Sequence, residues 1–189
     1  MTHYIIRIFD IFISIIILII FSPIIFLITF TILLLDGRPV IYKQLRIGYK
    51  GKQFIIFKFR TMNNIILKNE KMRLTILGKI LRRTSLDELP QFLNVLNNEM
   101  SIVGPRPLPK NIENKIKLSM RKKRRKVLPG ITGMSQINYT GKNRKLIEKT
   151  HLDMELINNH TIYNYFRILL KTPFILAIRF FKNKSSIIK

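Results

Sequence analysis

Apolar and polar positions fall into a few distinct patterns along the chain, and each predicts an element. Residues 11–35 form an almost unbroken apolar run, relieved only by Ser14, Ser22, Pro23, Thr29 and Thr31. As a helix rising ~1.5 Å per residue, the run is long enough to cross a bilayer. Its length and the lack of a small-residue cleavage site argue against a cleaved signal peptide. Ser22-Pro23 lies near its midpoint. The proline removes a backbone donor and crowds the preceding turn, while a serine hydroxyl can satisfy the carbonyl so freed. Proline is also tolerated in spanning helices, so the pattern fits either one spanning helix or a helix-break-helix that enters and leaves on one side. Arg7 precedes the run, and Arg38, Lys43, Arg46, Lys50 and Lys52 follow it. Basic flanks on both sides fit two cytoplasmic ends, although the later cluster alone would also orient a spanning helix.

Beyond the run the periods change. Residues 39–44 and 53–61 are β-rich and enclose Gly48-Tyr49-Lys50-Gly51, which predicts a short hairpin. Alternation places Lys58 and Arg60 on one strand face, opposite Phe57 and Phe59. Taken alone, that is a solvated basic face. Residues 63–73 are polar and read as a surface loop or frayed helix, and 75–83 as a basic helix carrying Arg82. Leu86, Leu89, Phe92, Leu93 and Leu96 then recur at near-helical spacing. Ser85 three residues before Glu88 matches the capping-box pattern for that helix start, and Pro90 should loosen its first turn. Residues 112–126 predict a basic helix, and 129–133, with two glycines, a turn. Residues 163–181 are apolar with Arg167, Lys171 and Arg179 interspersed. Pro173 divides them into two short helices, whose charges favour lying in an interface over spanning.

Charge sharpens this picture. The chain of 189 residues carries 34 basic and 10 acidic side chains, a formal charge of +24. Such a field calls for an anionic partner: nucleic acid, acidic lipid or a phosphorylated substrate. The hydrophobic share of 47% and a mean hydropathy of +0.14 disfavour a soluble nucleic-acid binder and favour a membrane-surface protein. The run Arg121-Lys122-Lys123-Arg124-Arg125-Lys126 by itself reads as a patch for nucleic acid or anionic lipid. The absence of cysteine excludes disulfides and thiolate metal sites.

Against that basic background, Asp87 and Glu88 stand side by side in a predicted first turn. Acidic residues there are ordinary helix-start residues. The same place keeps a carboxylate ionised, as a nucleophile requires. The segment ends in Val103-Gly104-Pro105-Arg106-Pro107, where two prolines restrict the arginine and pre-aim a planar fork suited to phosphate. Ionised carboxylates near such an arginine suggest metal-assisted phosphoryl chemistry.

The stretch S-L-D-E-L-P-Q followed by L-N-V-L-N-N-E-M-S-I-V-G-P-R-P resembles the signature of the bacterial sugar transferases, the monotopic phosphoglycosyl transferases of glycan assembly. The resemblance runs from residue 7 to about residue 172. It implies an α-rich α+β membrane-associated fold, with residues 1–37 as a re-entrant helix-break-helix matching at Arg7, Asp10, Ser22 and Pro23. Residues 38–189 would be a catalytic domain with a short hairpin and amphipathic interfacial helices. The chain resembles the family's minimal form, without the additional membrane domain of larger members. The implied reaction is transfer of sugar-1-phosphate from a UDP-sugar to undecaprenyl phosphate, initiating glycan assembly at the cytoplasmic face of the bacterial inner membrane.

In that scheme Asp87 attacks the β-phosphorus and Glu88 helps hold Mg²⁺. Lys58, Arg60, Arg82, Arg106, Gln136, Lys142 and Asp153 match substrate-binding or site-wall positions. Departures from the family pattern fall at Ile6, in place of a lysine thought to contact headgroups, and at Met134, Lys142, Leu156 and Asn164. Anionic lipids are the further expected partner, and nucleic acid is not. A membrane-anchored nucleic-acid module or a lipid-binding scaffold would answer to the net charge, but neither explains Asp87-Glu88 before the G-P-R-P run.

Overall fold

The structure, a computed structural model, describes residues 2–63, 74–138 and 145–182. Its N-terminal part is a bent pair of helices, α1 (Thr2–Ile20) and α2 (Ser22–Leu35), meeting at 61°. The cause of the bend is local. Pro23 has no N–H for the carbonyl of Ile19, and the Ser22 hydroxyl donates to that carbonyl instead, at 2.8 Å. Among the described residues no single helix is long and apolar enough to cross a membrane, whereas the bent pair together has the length and composition.

A hairpin of β1 (Ile41–Ile47) and β2 (Gln53–Phe59) follows, antiparallel in the register Tyr42↔Lys58 and Gln44↔Ile56. Its turn, Tyr49–Gly51, takes positive φ at Lys50 and Gly51 and is pinned where the Lys50 N–H donates to the Arg125 carbonyl at 2.8 Å. Then come α3 (Ile76–Thr84), begun by the Thr75 side chain, and α4 (Gln91–Leu96). The remaining elements are β3 (Ser101–Val103), α5 (Lys110–Glu113), α6 (Leu118–Arg124), β4 (Gly130–Thr132), α7 (Met134–Ile137), α8 (Leu146–Asn158) and α9 (Ile162–Lys182). The α-rich expectation and the short hairpin hold. The expected loop over 63–73 lies, apart from Asn63, outside the described residues.

Three expectations are corrected. The basic helix over 112–126 is two helices, because the chain turns back after α5 so that Arg125 can reach the buried Glu113 carboxylate at 2.9 Å. The glycine-rich turn at 129–133 contains β4, which pairs in parallel with β3. Gly130 is required there: a Cβ would sit 2.0 Å from the Gly104 nitrogen. Residues 163–181 form one helix across Pro173, since burial of Tyr165 and Ile168 holds α9 against the core.

The bent pair shares one core with the rest. Ile6, Ile28 and Ile32 are buried with Phe59, Leu81, Val95, Met100 and Val103. Polar contacts reinforce the join. The Arg7 guanidinium donates to the carbonyls of Val95 (2.6 Å), Leu96 (3.3 Å) and Met100 (3.3 Å), satisfying the C-terminal end of α4. The neighbour of this arginine, Ile6, is buried in that core. Asp10, 1% exposed, accepts from the Ile102 N–H at 2.9 Å and the Tyr165 hydroxyl at 2.8 Å. On the other side Phe12, Ile19, Ile20, Phe26, Leu34 and Leu35 are exposed, a large apolar face with no partner among the described residues.

The Asp10 contacts make a direct prediction. Asp10→Ala orphans two interior donors, at about 1–3 kcal/mol for each unsatisfied group. Thermal unfolding in detergent should show a clear loss of stability, and Asp10→Asn, which keeps an acceptor oxygen, a smaller one.

Candidate active site

Three segments converge at the centre of the domain, and the local sequence explains how each gets there. Ser85 ends α3 in the left-handed conformation (φ 59°), reversing the chain. A 3-10 turn over Leu86–Glu88 follows, in which the Leu86 carbonyl accepts from Leu89 at 3.2 Å. In a regular helix it would accept from residue 90, but Pro90 has no donor and begins α4 anew. The expected capping box at Ser85 and Glu88 therefore does not form. Burial of Leu89 and Phe92 fixes the turn from below, and Glu88 is drawn to two cations.

The second segment is the end of β2. Asn94 of α4, fully buried, accepts from the Phe57 N–H at 3.1 Å and donates to the Ile55 carbonyl at 2.7 Å, pinning α4 to that strand. Lys58 consequently meets Glu88 Oε1 at 2.5 Å. The third segment is Gly104-Pro105-Arg106-Pro107, from which Arg106 reaches the same Oε1 at 2.9 Å. Asp87, 8% exposed, lies beside this cluster on the wall of a cleft of about 1480 Å³. Its lining includes the cations Arg46, Lys58, Arg82, Arg106 and Arg179, together with apolar residues: Ile17 and Phe21 at the bend of α1 and α2, and Leu169, Pro173 and Leu176 of α9.

The two carboxylates are driven apart. Burial, then the charge of Glu88, pushes Asp87 up to about 6, while Lys58, Arg82 and Arg106 pull against the rise. Burial also favours the protonated form of Glu88, but Arg106 and Lys58 outweigh it and hold that carboxyl at about 2. At neutral pH both are ionised. Asp87 is the more basic and the less well compensated, which suits a nucleophile. Glu88 is a fixed anion.

The other expected site residues divide. Arg82 lines the cleft, its Nε donating to the Thr61 hydroxyl at 2.9 Å. Arg60 also borders it, yet one nitrogen is committed to the carbonyls of Asp36 (2.5 Å) and Gly37 (2.7 Å) at the end of α2. Gln136 lines the cleft and accepts from the Ser135 hydroxyl at 2.8 Å. Asp153 does not line it; it is buried in an ion pair with Arg124. Lys142 lies outside the described residues. Two cleft cations were read in the sequence only as a flanking and an interfacial charge, Arg46 and Arg179. Arg46 shares a strand face with Tyr42, the cross-strand partner of Lys58, so the hairpin pattern held a signal for it. Arg179, on α9, had none, because only tertiary packing lays that helix beside the cleft.

The sequence is similar to those of known proteins. The family model described as bacterial sugar transferase matches residues 1–179. The chain is 38% identical over 180 residues to the UDP-glucose:undecaprenyl-phosphate glucose-1-phosphate transferase of Escherichia coli, covering 87% of this chain and 38% of that protein. It is 40% identical over 174 residues to the uncharacterized sugar transferase EpsL of Bacillus subtilis, covering 88% of this chain and 84% of the other. With the exopolysaccharide production protein ExoY of Rhizobium meliloti it shares 33% over 192 residues, 88% of this chain and 82% of that one. The chain thus spans about two fifths of the first of these relatives and most of the other two.

The electrostatics predict a titration. Asp87 should titrate with a midpoint of about 6 while Glu88 stays ionised throughout, as read by carbon NMR of the labelled carboxyls. Lys58→Met removes a favourable charge and should move the Asp87 midpoint upward. An unmoved midpoint in that variant would refute the assignment of this charge.

Proposed function

This chain belongs to the bacterial sugar transferase family, and on that premise we propose that it transfers sugar-1-phosphate from a UDP-sugar to undecaprenyl phosphate. The products are undecaprenyl-diphosphate-sugar and UMP, and the step initiates assembly of a glycan such as an exopolysaccharide or capsule. The observation that carries this reading is the cleft itself. A buried, basic carboxylate stands beside a carboxylate clamped by two cations, in a cleft lined by both cations and apolar side chains. A nucleotide diphosphate and a lipid phosphate call for both kinds of lining.

The chemistry proceeds in two displacements. An Asp87 oxygen attacks the β-phosphorus, the bond from that phosphorus to the bridging oxygen breaks, and UMP departs with the bond's electrons. An acyl phosphate joining Asp87 to the phosphosugar remains. A phosphate oxygen of the polyprenyl acceptor then attacks the same phosphorus, and the Asp87–phosphorus bond breaks to return the carboxylate. Lys58 and Arg106 hold phosphate oxygens and offset the charge that builds on them. Mg²⁺ fits the donor set, since Asp87 and Glu88 are hard oxygen ligands and Glu88 stays ionised at any physiological pH. Among the described residues no group of three or more His, Cys, Asp or Glu converges, so water and phosphate oxygens would complete its shell. When bound, the ion supplies neutralisation of the diphosphate.

We place the protein on the cytoplasmic face of the bacterial inner membrane, with the bent helix pair dipping into one leaflet. The exposed apolar side of α1 and α2 supports this, as does the satisfied carbonyl at the bend, because lipid cannot supply a donor there. The acceptor phosphate at the headgroup plane is then within reach of a donor arriving from water. Exposed Lys122, Lys123 and Lys126 suit anionic lipid. Arg124 and Arg125 of the same run are engaged by Asp153 and Glu113, which leaves the run a poorer nucleic-acid patch than its sequence suggests.

Two experiments test these readings. Incubated with UDP-sugar but no polyprenyl phosphate, the protein should release UMP and gain the mass of one phosphosugar. Asp87→Asn, folded but without a nucleophile, should do neither and lose activity by orders of magnitude. Sequential kinetics together with substantial Asp87→Asn activity would end the covalent reading. For topology, single cysteines at Thr2 and at the exposed Lys52 should both resist an impermeant thiol reagent in intact cells. Labelling at Thr2 alone would make the pair a spanning helix.

A further inference from the structure

The segment that carries Arg106 is held in an unusual way. Pro105 and Pro107 have no N–H, so the segment must be fixed largely through its carbonyls. Each of the three is taken by a different element. The Pro105 carbonyl accepts from the Gly130 N–H at 3.0 Å, that of Arg106 from Arg124 Nη2 at 2.6 Å, and that of Pro107 from Arg46 Nη1 at 3.2 Å. The middle contact holds the peptide from which the phosphate-binding side chain departs. That side chain is 46% exposed, so beyond its ion pair with Glu88 little packing aims the guanidinium, and the peptide it departs from sets its direction and reach.

Arg124 is an expensive way to make such a contact. It is 7% exposed and its counter-ion Asp153, from α8, is 3% exposed. A buried ion pair is a weak stabiliser, since desolvation opposes the attraction, and an apolar pair of like volume would often pack as well. An apolar pair, however, cannot donate to a carbonyl. The planar fork of Arg124 spans two acceptors, Nη1 on Asp153 and Nη2 on the Arg106 carbonyl, which the single ammonium of lysine cannot reproduce.

We propose that Arg124, oriented by Asp153, is a positioning residue that aims Arg106 at the donor's phosphates. The proposal rests on the reading of Arg106 as a phosphate-binding group. It gives Asp153 a role that its absence from the cleft wall would otherwise leave unexplained: it acts two contacts away, through Arg124 and then the Arg106 peptide.

The test is a double-mutant cycle on the full chain in detergent. Arg124→Lys and the near-isosteric Asp153→Asn are each placed in the wild-type and the Arg106→Ala backgrounds. In the wild-type background each should lower kcat/KM for UMP release by about 10- to 100-fold, the usual cost of losing a partner that orients a functional ligand, chiefly through KM for the UDP-sugar. In the Arg106→Ala background the same changes should cost less than about twofold, because the group they position is gone. Losses that multiply equally in both backgrounds would overturn the proposal, and so would failure of both variants to fold. The same cycle read in the Kd of UDP by calorimetry needs no turnover. Coupling there without UMP release by the wild type would sustain the relay and defeat the transferase reading. No UDP binding by the wild type would remove both.

Discussion

Everything at the centre of this protein depends on one carboxylate oxygen. Glu88 Oε1 receives Lys58 from a hairpin strand and Arg106 from a proline-bounded segment, at 2.5 and 2.9 Å. Each of the three charges is costly to desolvate, and together they are tolerable. The arrangement sets the distance between β2, the turn after α3 and the G-P-R-P segment, so it fixes the floor of the cleft before any substrate arrives. It also separates the two carboxyls chemically. By taking up the charge of Lys58 and Arg106 directly, Glu88 leaves Asp87 only their longer-range influence, and burial raises Asp87 toward neutrality.

The surrounding fold serves that cluster by closing off alternatives. Asn94 takes up the Phe57 N–H and Ile55 carbonyl on the open edge of β2 and ties the helix after the turn to that edge. Gly130 and Gly104 approach so closely that no side chain fits between them, which lets a parallel pair only three residues long carry the G-P-R-P segment. Arg60 gives one nitrogen to the last carbonyls of α2, so the end of the bent pair and the wall of the cleft are one piece of structure.

Much of this was readable from residue order, and the failures have physical causes. The apolar run and its Ser22-Pro23 break were legible because both the bend and its remedy are local. The hairpin was legible from alternation about a glycine turn. The strands β3 and β4 are too short for any period to register and exist because of a long-range pairing. Pro173 pointed to a break that burial of Tyr165 and Ile168 overrides. At Ser85 the capping pattern was present and unused, since the same serine is needed in a left-handed conformation to end α3. Within the site, Asp87, Glu88 and Arg106 were visible as an anomaly of charge and proline placement. The Asp153–Arg124 pair was not, because its members lie on two helices whose packing no local pattern encodes.

The buried Asp10 has a consequence for how the molecule is made. Its helix is translated before the Tyr165 hydroxyl that completes its coordination, which lies 155 residues further on. Folding that proceeds from the N-terminus during synthesis cannot close this joint early. The contacts of α1 stay incomplete until α9, the last described element, has been translated and has docked. Docking of the bent pair and completion of the cleft are therefore a single late event. A chain stalled before α9 would have neither its bent pair seated nor its cleft finished.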